Sequence, residues 1–261
     1  MPRPIVSRDE WLTARKQLLA KEKAFTRMRD ELTVERVALP WVKVEKTYVF
    51  DGPNGPETLA DLFLDRSQLV IKHFMFGPDW TEGCVGCSFE IDQISGALVH
   101  LEHHDVTYVV VARAPLPKLE AFRQRMGWTV KFVSSYGNDF NYDYHVSFRP
   151  EELAKGEAYY NFATRPLGMD EMSGRSVFYK DAAGDVFHTY SSFARGGELN
   201  LNAYAVLDVT PKGRNETING NLTDWVRHHD RYGAGGSVDP TGRFVAPEAA
   251  DACCHPSETQ A

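Results

Sequence analysis

Two cysteines separated by two residues, Cys84 and Cys87, are the strongest chemical feature of the sequence. A hydrophobic run at residues 69–76 precedes them and ends in a Gly-Pro turn, and an amphipathic helical pattern begins at the cysteines. The unpaired N–H groups and positive dipole end of a helix N-terminus lower a thiol pKa from about 8.5 to roughly 3.5–7.5. The pattern predicts a redox-active dithiol, in which Cys84 attacks and Cys87, one turn later, resolves the mixed disulfide.

Two other interpretations of this pair stay open, namely metal ligands and inert buried cysteines. A structural zinc site normally needs four ligands, and a second pair at this spacing is missing, so neither a metal nor another cofactor is expected. The remaining cysteines, Cys253 and Cys254, are adjacent in a polar tail. Adjacent cysteines pair with each other only in a strained ring, so this pair is either an auxiliary dithiol that exchanges with Cys84 or incidental.

The composition limits the classes of partner. The chain has 261 residues, 43% of them hydrophobic and 25% charged, and a net charge of -7, which nucleic-acid phosphates would repel. No apolar run approaches the length of a membrane span, and the N-terminus lacks the apolar region of a signal peptide. Four cysteines are too few for a disulfide scaffold. We expect a cytoplasmic protein that binds neither nucleic acid nor membrane, with a thiol- or disulfide-bearing protein or small molecule as substrate.

A long helix is predicted for residues 7–36, because Ser7 and Glu10 have the spacing of a capping box. Apolar residues then recur every seven positions, at Trp11, Leu18, Phe25 and Leu32. Such a stripe needs a partner surface. That surface is either the protein's own domain or a second copy of the chain in a homodimer.

The rest of the chain alternates strand and helix patterns. After the dithiol, a helical face runs to residue 104, and residues 106–112 and 130–133 are strand-like runs separated by a helical pattern at 116–126, as a parallel sheet requires. Residues 176–190 predict an antiparallel hairpin. Helical patterns follow at 199–207 and 222–232. The sequence predicts an α/β fold with a mixed central sheet and flanking helices, divided into an N-terminal helical extension (1–40), one domain (41–232) and a flexible tail (233–261).

Long specific strings occur from the N-terminal helix to residue 232. They include His73-Phe-Met-Phe-Gly-Pro-Asp-Trp80, Ser134-Ser-Tyr-Gly-Asn-Asp-Phe-Asn-Tyr-Asp143, Phe187-His-Thr-Tyr190 and Trp225-Val-Arg-His-His-Asp-Arg-Tyr232. Through them the chain resembles an uncharacterised bacterial family, domain of unknown function 899, usually described as predicted dithiol-disulfide oxidoreductases. The resemblance implies a thioredoxin-like fold and thiol–disulfide exchange.

The loop before the dithiol has a second resemblance. Pro78, Thr81 and Cys84 are spaced as in the Pro-x-x-x-Thr-x-x-Cys loop of peroxiredoxins with one residue deleted, and Arg175 is similar to the arginine that those enzymes place opposite the cysteine. The resemblance implies that Thr81 and Arg175 orient a substrate, and Trp80 is a third candidate. A peroxiredoxin-like thiol peroxidase is therefore one alternative function, and a non-catalytic binding module with a thioredoxin fold is another.

Two features depart from the thioredoxin pattern. The position where that fold normally carries a cis-proline, before the first hairpin strand, has the sequence Ser173-Gly-Arg-Ser176. Three acidic residues, Asp79, Glu82 and Glu90, also lie close to the cysteines in sequence. Because like charges repel, these acids are expected to oppose formation of the thiolate.

Overall fold

The structure is a computed structural model that describes residues 3–216 and 225–247. Two compact units divide the chain, Met1–Val42 and Lys43–Ala261. Among the described residues, no helix is long and apolar enough to span a membrane.

The first unit is dominated by α1, Arg8–Val37. Its N-terminus has the predicted capping box, with the Glu10 N–H donating to Ser7 Oγ and the Ser7 N–H donating to a Glu10 carboxylate oxygen at 2.9 Å. None of the side chains of α1 is buried. The seven-residue stripe is therefore exposed along the whole helix, from Trp11 (46% exposed) to Leu32 (42%).

The strands of the described chain form one large sheet and two small ones. Their bounds are β1 Val42–Lys43, β2 Val49–Gly52, β3 Gly55–Thr58, β4 Gln68–His73, β5 Val106–Ala112, β6 Lys131–Ser134, β7 Glu157–Tyr160, β8 Ala163–Pro166, β9 Gly174–Lys180, β10 Val186–Phe193, β11 Ser237–Val238 and β12 Phe244–Val245. The central sheet has the order β1-β10-β9-β4-β5-β6-β2-β3. Strands β4, β5 and β6 are parallel, whereas β9 and β10 form an antiparallel hairpin beside β4.

Short helices connect and cover these strands. They are α2 Val85–Ile94, α3 Leu98–His103, α4 Leu116–Arg125, α5 Phe140–Asp143, α6 Pro150–Leu153 and α7 Asn202–Leu207. The chain runs from β4 through α2 and α3 into β5, and from β5 through α4 into β6. These are the two parallel crossovers that the sequence predicts.

Period-2 alternation on the central strands builds a core on each face of the sheet. On β4, Leu69 and Ile71 belong to one cluster, with Phe50 and Phe140. The opposite cluster contains Phe74 and both cysteines of the dithiol. Val70 packs on this second cluster, so Lys72, two residues further along β4, is directed to the same face as α2.

The prediction of an α/β protein with a mixed central sheet and flanking helices is confirmed. The dithiol helix begins a strand–helix–strand crossover, and an antiparallel hairpin lies on the other side of the first strand. This arrangement is thioredoxin-like. The helix predicted for residues 222–232 is wrong over its described part, because residues 225–232 form turns and loop. Residues 233–247, assigned from the sequence to the tail, contain the β11–β12 hairpin.

Candidate functional site

Cys84 occupies the N-cap position of α2. The loop that connects β4 to α2 is held by backbone hydrogen bonds, with the Cys84 N–H donating to the Met75 carbonyl at 2.9 Å. The residue before the cysteine is necessarily small, since a Cβ added at Gly83 would lie 2.3 Å from the Phe74 ring. The loop therefore packs tightly under the first turn of α2 and fixes where the sulfur lies.

The two thiols of the pair are free, buried and electrostatically unequal. A hydrogen bond from the Cys87 thiol lowers the pKa of Cys84 to about 7; burial acts in the opposite direction, while the N–H groups of Cys87 and Gly86 and the charge of Lys72 lower it further. The same hydrogen bond, in which Cys87 is the donor, raises the pKa of Cys87 well above its usual range, and burial adds to this. Cys84 is therefore the more acidic thiol of the pair, and Cys87 is the one that keeps its proton.

A buried ion triad lies against the dithiol. Glu90 of α2 accepts from Lys72 Nζ at 2.5 Å and from Arg175 Nη2 at 3.0 Å. Burial raises the pKa of Glu90, but the charges of Lys72 and Arg175 outweigh it and hold the pKa below its usual range. Two positive charges therefore face one negative charge on the α2 side of the sheet.

The nearby acids do not oppose the thiolate as expected from the sequence. Glu90 is neutralised within the ion triad. Glu82 accepts hydrogen bonds from Arg125 at 2.7 Å and from Arg231. Since these carboxylates are paired with cations, their repulsion is cancelled, and the pKa of Cys84 is lowered rather than raised.

The ion triad and the dithiol share a cavity of about 230 Å³. Its lining includes Cys84, Cys87, Lys72, Glu90, Arg175 and Ser192. Lys72 pairs with Arg175 across β4 and β9, and Arg175 pairs with Ser192 across β9 and β10. Directly opposed residues of neighbouring strands point to the same face, so these three side chains form a row beneath α2.

The candidate orienting residues lie in different places. Arg175 lines the cavity together with Cys84. Thr81 is exposed and is not among the lining residues. Trp80 is buried; its backbone carbonyl accepts from Lys118 Nζ at 3.0 Å, and the guanidinium of Arg243 lies 4.5 Å from its ring centroid. The structure brings only Arg175 of the three to the cavity lining.

The β11–β12 hairpin covers the outward side of the dithiol. The Val85 N–H donates to the Gly242 carbonyl at 2.8 Å, and a Cβ added at Gly242 would lie 2.9 Å from Cys84 Sγ. Asp239 closes the turn of the hairpin by accepting from the Thr241 and Arg243 N–H groups. Cys84 is consequently only 6% exposed.

The segment that leads into this hairpin is also anchored to the dithiol loop. His228 is fully buried, and its Nε2 lies 2.9 Å from the Gly83 carbonyl oxygen. Val238 and Phe244 of the hairpin pack on a cluster that contains Val85 and Phe89 of α2. Residues 225–247 are therefore part of the site, although the sequence predicted a helix up to residue 232 and a flexible tail after it.

Two groups of residues complete the comparison with the sequence. Cys253 and Cys254 lie outside the described residues. In the part of the chain that the structure describes, no three His, Cys, Asp or Glu side chains converge as metal ligands. Sequence reasoning missed Lys72, although the only lysine in the mainly apolar run 69–76 was a usable signal. It also missed the Gly242 turn.

Comparison with solved structures finds folds of the peroxiredoxin class. Peroxiredoxin Q of Xanthomonas campestris is 13% identical, with a TM-score of 0.41, and the match covers 60% of this chain and 90% of that one. Peroxidoxin BcpB of Mycobacterium tuberculosis is 13% identical, with a TM-score of 0.40 and coverage of 63% and 97%. The mitochondrial 2-Cys peroxiredoxin of Plasmodium falciparum is 13% identical, with a TM-score of 0.38 and coverage of 70% and 99%.

Sequence comparison gives a more direct result. No curated protein matches the chain. Residues 1–232, which include α1, the central sheet and the dithiol, match the model of one family. By this match the chain belongs to the family described as bacterial protein of unknown function (DUF899).

Proposed function

We propose that the protein is a thiol–disulfide oxidoreductase. The observation that supports this most is the pairing of a Cys84 thiol of pKa about 7 with a Cys87 thiol that donates a hydrogen bond to it at the start of α2. A lowered pKa increases the fraction of the thiol that is thiolate at neutral pH, the form that attacks disulfides. A thiol attacks disulfides fastest when its pKa is close to the ambient pH, because a lower pKa gives more thiolate but a weaker nucleophile.

The proposed reaction has two exchange steps. The Cys84 thiolate attacks one sulfur of a substrate disulfide, the substrate S–S bond breaks, and one substrate thiolate leaves with the electron pair and takes a proton. Cys87 then loses its proton and attacks Cys84 in the mixed disulfide, which releases the second substrate thiol. The substrate gains two electrons, and the protein ends as a Cys84–Cys87 disulfide that an external dithiol reduces.

A matched pair of variants tests this proposal. With a small disulfide, Cys87→Ser is expected to accumulate a mixed disulfide at Cys84, whereas Cys84→Ser is expected to form no adduct. Wild type is expected to lose the mass of two hydrogens, reversibly with reductant, and alkylation at pH 6 is expected to label Cys84 first. Preferential labelling of Cys87, or no internal disulfide after oxidation, would contradict the proposal and favour a non-catalytic module.

A thiol peroxidase is a second candidate, supported by the position of Arg175 beside Cys84 in the cavity. In that reaction the Cys84 thiolate attacks one oxygen of a peroxide, the O–O bond breaks, and the other oxygen leaves with the electron pair and takes up a proton as water or an alcohol. Cys84 is then a sulfenic acid, and the Cys87 thiol condenses with it to a disulfide with loss of water. The exposed position of Thr81 gives this candidate less support. Consumption of hydrogen peroxide or an alkyl hydroperoxide, with a small dithiol as reductant, measures it directly.

We further propose that α1 mediates a homodimer. Its apolar stripe is exposed along the helix, and two such stripes at seven-residue spacing are complementary to each other. Light scattering is expected to give a dimeric mass for wild type and a monomeric mass for a Leu18→Glu, Phe25→Glu double variant. Leu39→Glu, an equally apolar exposed position beyond α1, is the control. A monomeric wild type would remove this proposal.

The role of Cys253 and Cys254 as an auxiliary dithiol is a separate proposal. Cys253 lies only eleven positions after Gly242, which lies against Cys84. Truncation after Glu248 is expected to slow re-reduction of the Cys84–Cys87 disulfide. If the truncated protein turns over like wild type and no linked tail peptide is found, the tail has no role.

A cycle in which the Cys84–Cys87 disulfide is reduced again requires a reducing compartment such as the cytoplasm.

A further inference from the structure

We propose that the cavity beside the dithiol binds the carboxylate group of a small disulfide, with Arg175 and Ser192 as its hydrogen-bond donors. This inference rests on the proposed thiol–disulfide exchange and names its substrate class. Three observations lead to it: the route to Cys84, two unpaired donors in the cavity, and the balance of charge around them.

The route to Cys84 selects small substrates. Gly242 lies against the sulfur, and Cys84 is only 6% exposed, which leaves little room for the disulfide of a folded protein. Cys84 and Cys87 both line the cavity. A volume of about 230 Å³ is below the usual range of roughly 300–1,000 Å³ for drug-sized ligands. The cavity therefore accommodates a substrate with a few atoms on each side of its S–S bond.

Two donor groups on residues that line the cavity have no partner within the described chain. They are the Arg175 Nε–H group and the Ser192 hydroxyl, and both atoms are buried. Arg175 and Ser192 are directly opposed across β9 and β10, so their side chains are neighbours. Native proteins rarely leave a buried donor unpaired, because the group loses its hydrogen bonds to water without replacement. Two adjacent unpaired donors match the two oxygens of a carboxylate.

The charge balance points to an anion. Lys72 and Arg175 carry two positive charges against the one negative charge of Glu90. Glu198, the other acid of the lining, is paired with Arg195 and Arg214. Before reaction the Cys84 thiolate compensates the excess, since Lys72 lowers the pKa of Cys84. The thiolate loses its charge when the mixed disulfide forms. A carboxylate on the part of the substrate that is bonded to Cys84 then supplies the missing negative charge.

Three disulfides that differ only in their end groups test this inference. They are dithiodipropionate, with two carboxylates, bis-hydroxyethyl disulfide, which is neutral, and cystamine, with two amines. Each is mixed with the fully reduced protein, released thiol is followed in time, and each rate is divided by the rate with free dithiothreitol to remove intrinsic reactivity. Dithiodipropionate is expected to react about tenfold faster than the neutral disulfide on this scale, and cystamine more slowly than either.

Variants of the two donors locate the effect. Ser192→Ala removes a hydroxyl that bonds to no other described residue, and Arg175→Lys keeps the charge but removes the Nε donor. Both are expected to lower severalfold the ratio of the rate with dithiodipropionate to the rate with the neutral disulfide. Arg165→Lys, on the exposed strand β8, is the matched control and is expected to change neither rate.

The outcomes separate this inference from the proposed function. If all three disulfides react at equal scaled rates, or if Ser192→Ala and Arg175→Lys leave the ratio of the dithiodipropionate rate to the neutral rate unchanged, the carboxylate site is refuted while thiol–disulfide exchange stands. If a protein disulfide such as that of insulin is reduced faster than any small one, the small-substrate class is refuted. If none of the disulfides oxidises Cys84, the proposed function itself fails.

Discussion

Substitution of Gly242 by alanine is expected to uncover Cys84 without disturbing the rest of the fold. Gly242 has a φ of +84°, where an L-residue is strained by about 1–2 kcal/mol. The new Cβ would also lie 2.9 Å from Cys84 Sγ, well inside the usual separation of about 3.5–4.0 Å between non-bonded atoms. Overpacking of this kind costs about 1–3 kcal/mol.

The overpacking is relieved when the β11–β12 hairpin moves away from α2. The overpacking cost alone, without the backbone strain, shifts the equilibrium between covered and uncovered Cys84 by a factor of about 5 to 150 toward the uncovered state. The assay is the rate at which a maleimide carrying a polyethylene glycol chain, too large for the cavity, labels Cys84. Labelling is expected to accelerate by this factor in Gly242→Ala.

Gly184→Ala is the matched control. Gly184 has a φ of +89° in the turn between β9 and β10, but a Cβ there meets no atom within 4 Å. Both variants therefore carry the same backbone strain, and only one of them presses on the sulfur. Equal labelling rates in wild type and Gly242→Ala, or an equal acceleration in Gly184→Ala, would refute the assignment of the hairpin as the cover of Cys84.

Three further results are expected. Lys72→Met removes a positive charge that lowers the pKa of Cys84, so the midpoint of the pH profile for alkylation of Cys84 by a small reagent is expected to rise above about 7; an unchanged midpoint would exclude Lys72 from tuning the thiol. Glu90→Gln leaves two buried cations without a counter-charge, so urea unfolding is expected to show a loss of about 3–5 kcal/mol, with a lower Cys84 midpoint. Burial raises the pKa of Glu171 to about 8 in spite of its pairing with Arg113. Between pH 4.5 and 8 the folded state therefore holds a proton that the unfolded state releases, so the free energy of unfolding is expected to fall by at most about 1.4 kcal/mol for each pH unit in this range. Glu171→Gln is expected to abolish that part of the slope.

The sequence predicted those parts of the fold that depend on local patterns. Apolar runs of strand length and an intervening helical period identify β4, α2 and β5, and the position of Cys84 at a helix start follows from the Gly-Pro turn before it. The β9–β10 hairpin was predicted for the same reason, since alternation and a Gly-containing turn lie within one short segment.

The surroundings of the dithiol depend on contacts between residues far apart in sequence. Glu90 reaches Lys72 across 18 positions and Arg175 across 85, and no periodicity links those positions. The proximity of Glu90 to Cys84 in sequence suggested that its negative charge would raise the pKa of the thiol. Its cationic partners, Lys72 and Arg175, compensate that charge, and the pKa of Cys84 is lowered instead. Turn-forming residues at 239–242 were visible, but nothing local indicates that this turn packs on a sulfur atom more than 150 positions earlier.

The position of the hairpin separates the dithiol from its cover along the chain. The match to the family model ends at residue 232, and the strands that cover Cys84 begin at Ser237. The dithiol, its ion triad and the central sheet therefore lie within the matched residues, and the cover lies beyond them. A chain that ended at residue 232 would keep the β4–α2 junction and the ion triad but would lack the Gly242 carbonyl that accepts from the Val85 N–H. The charges around Cys84 and its accessibility are thus set by separate stretches of the chain.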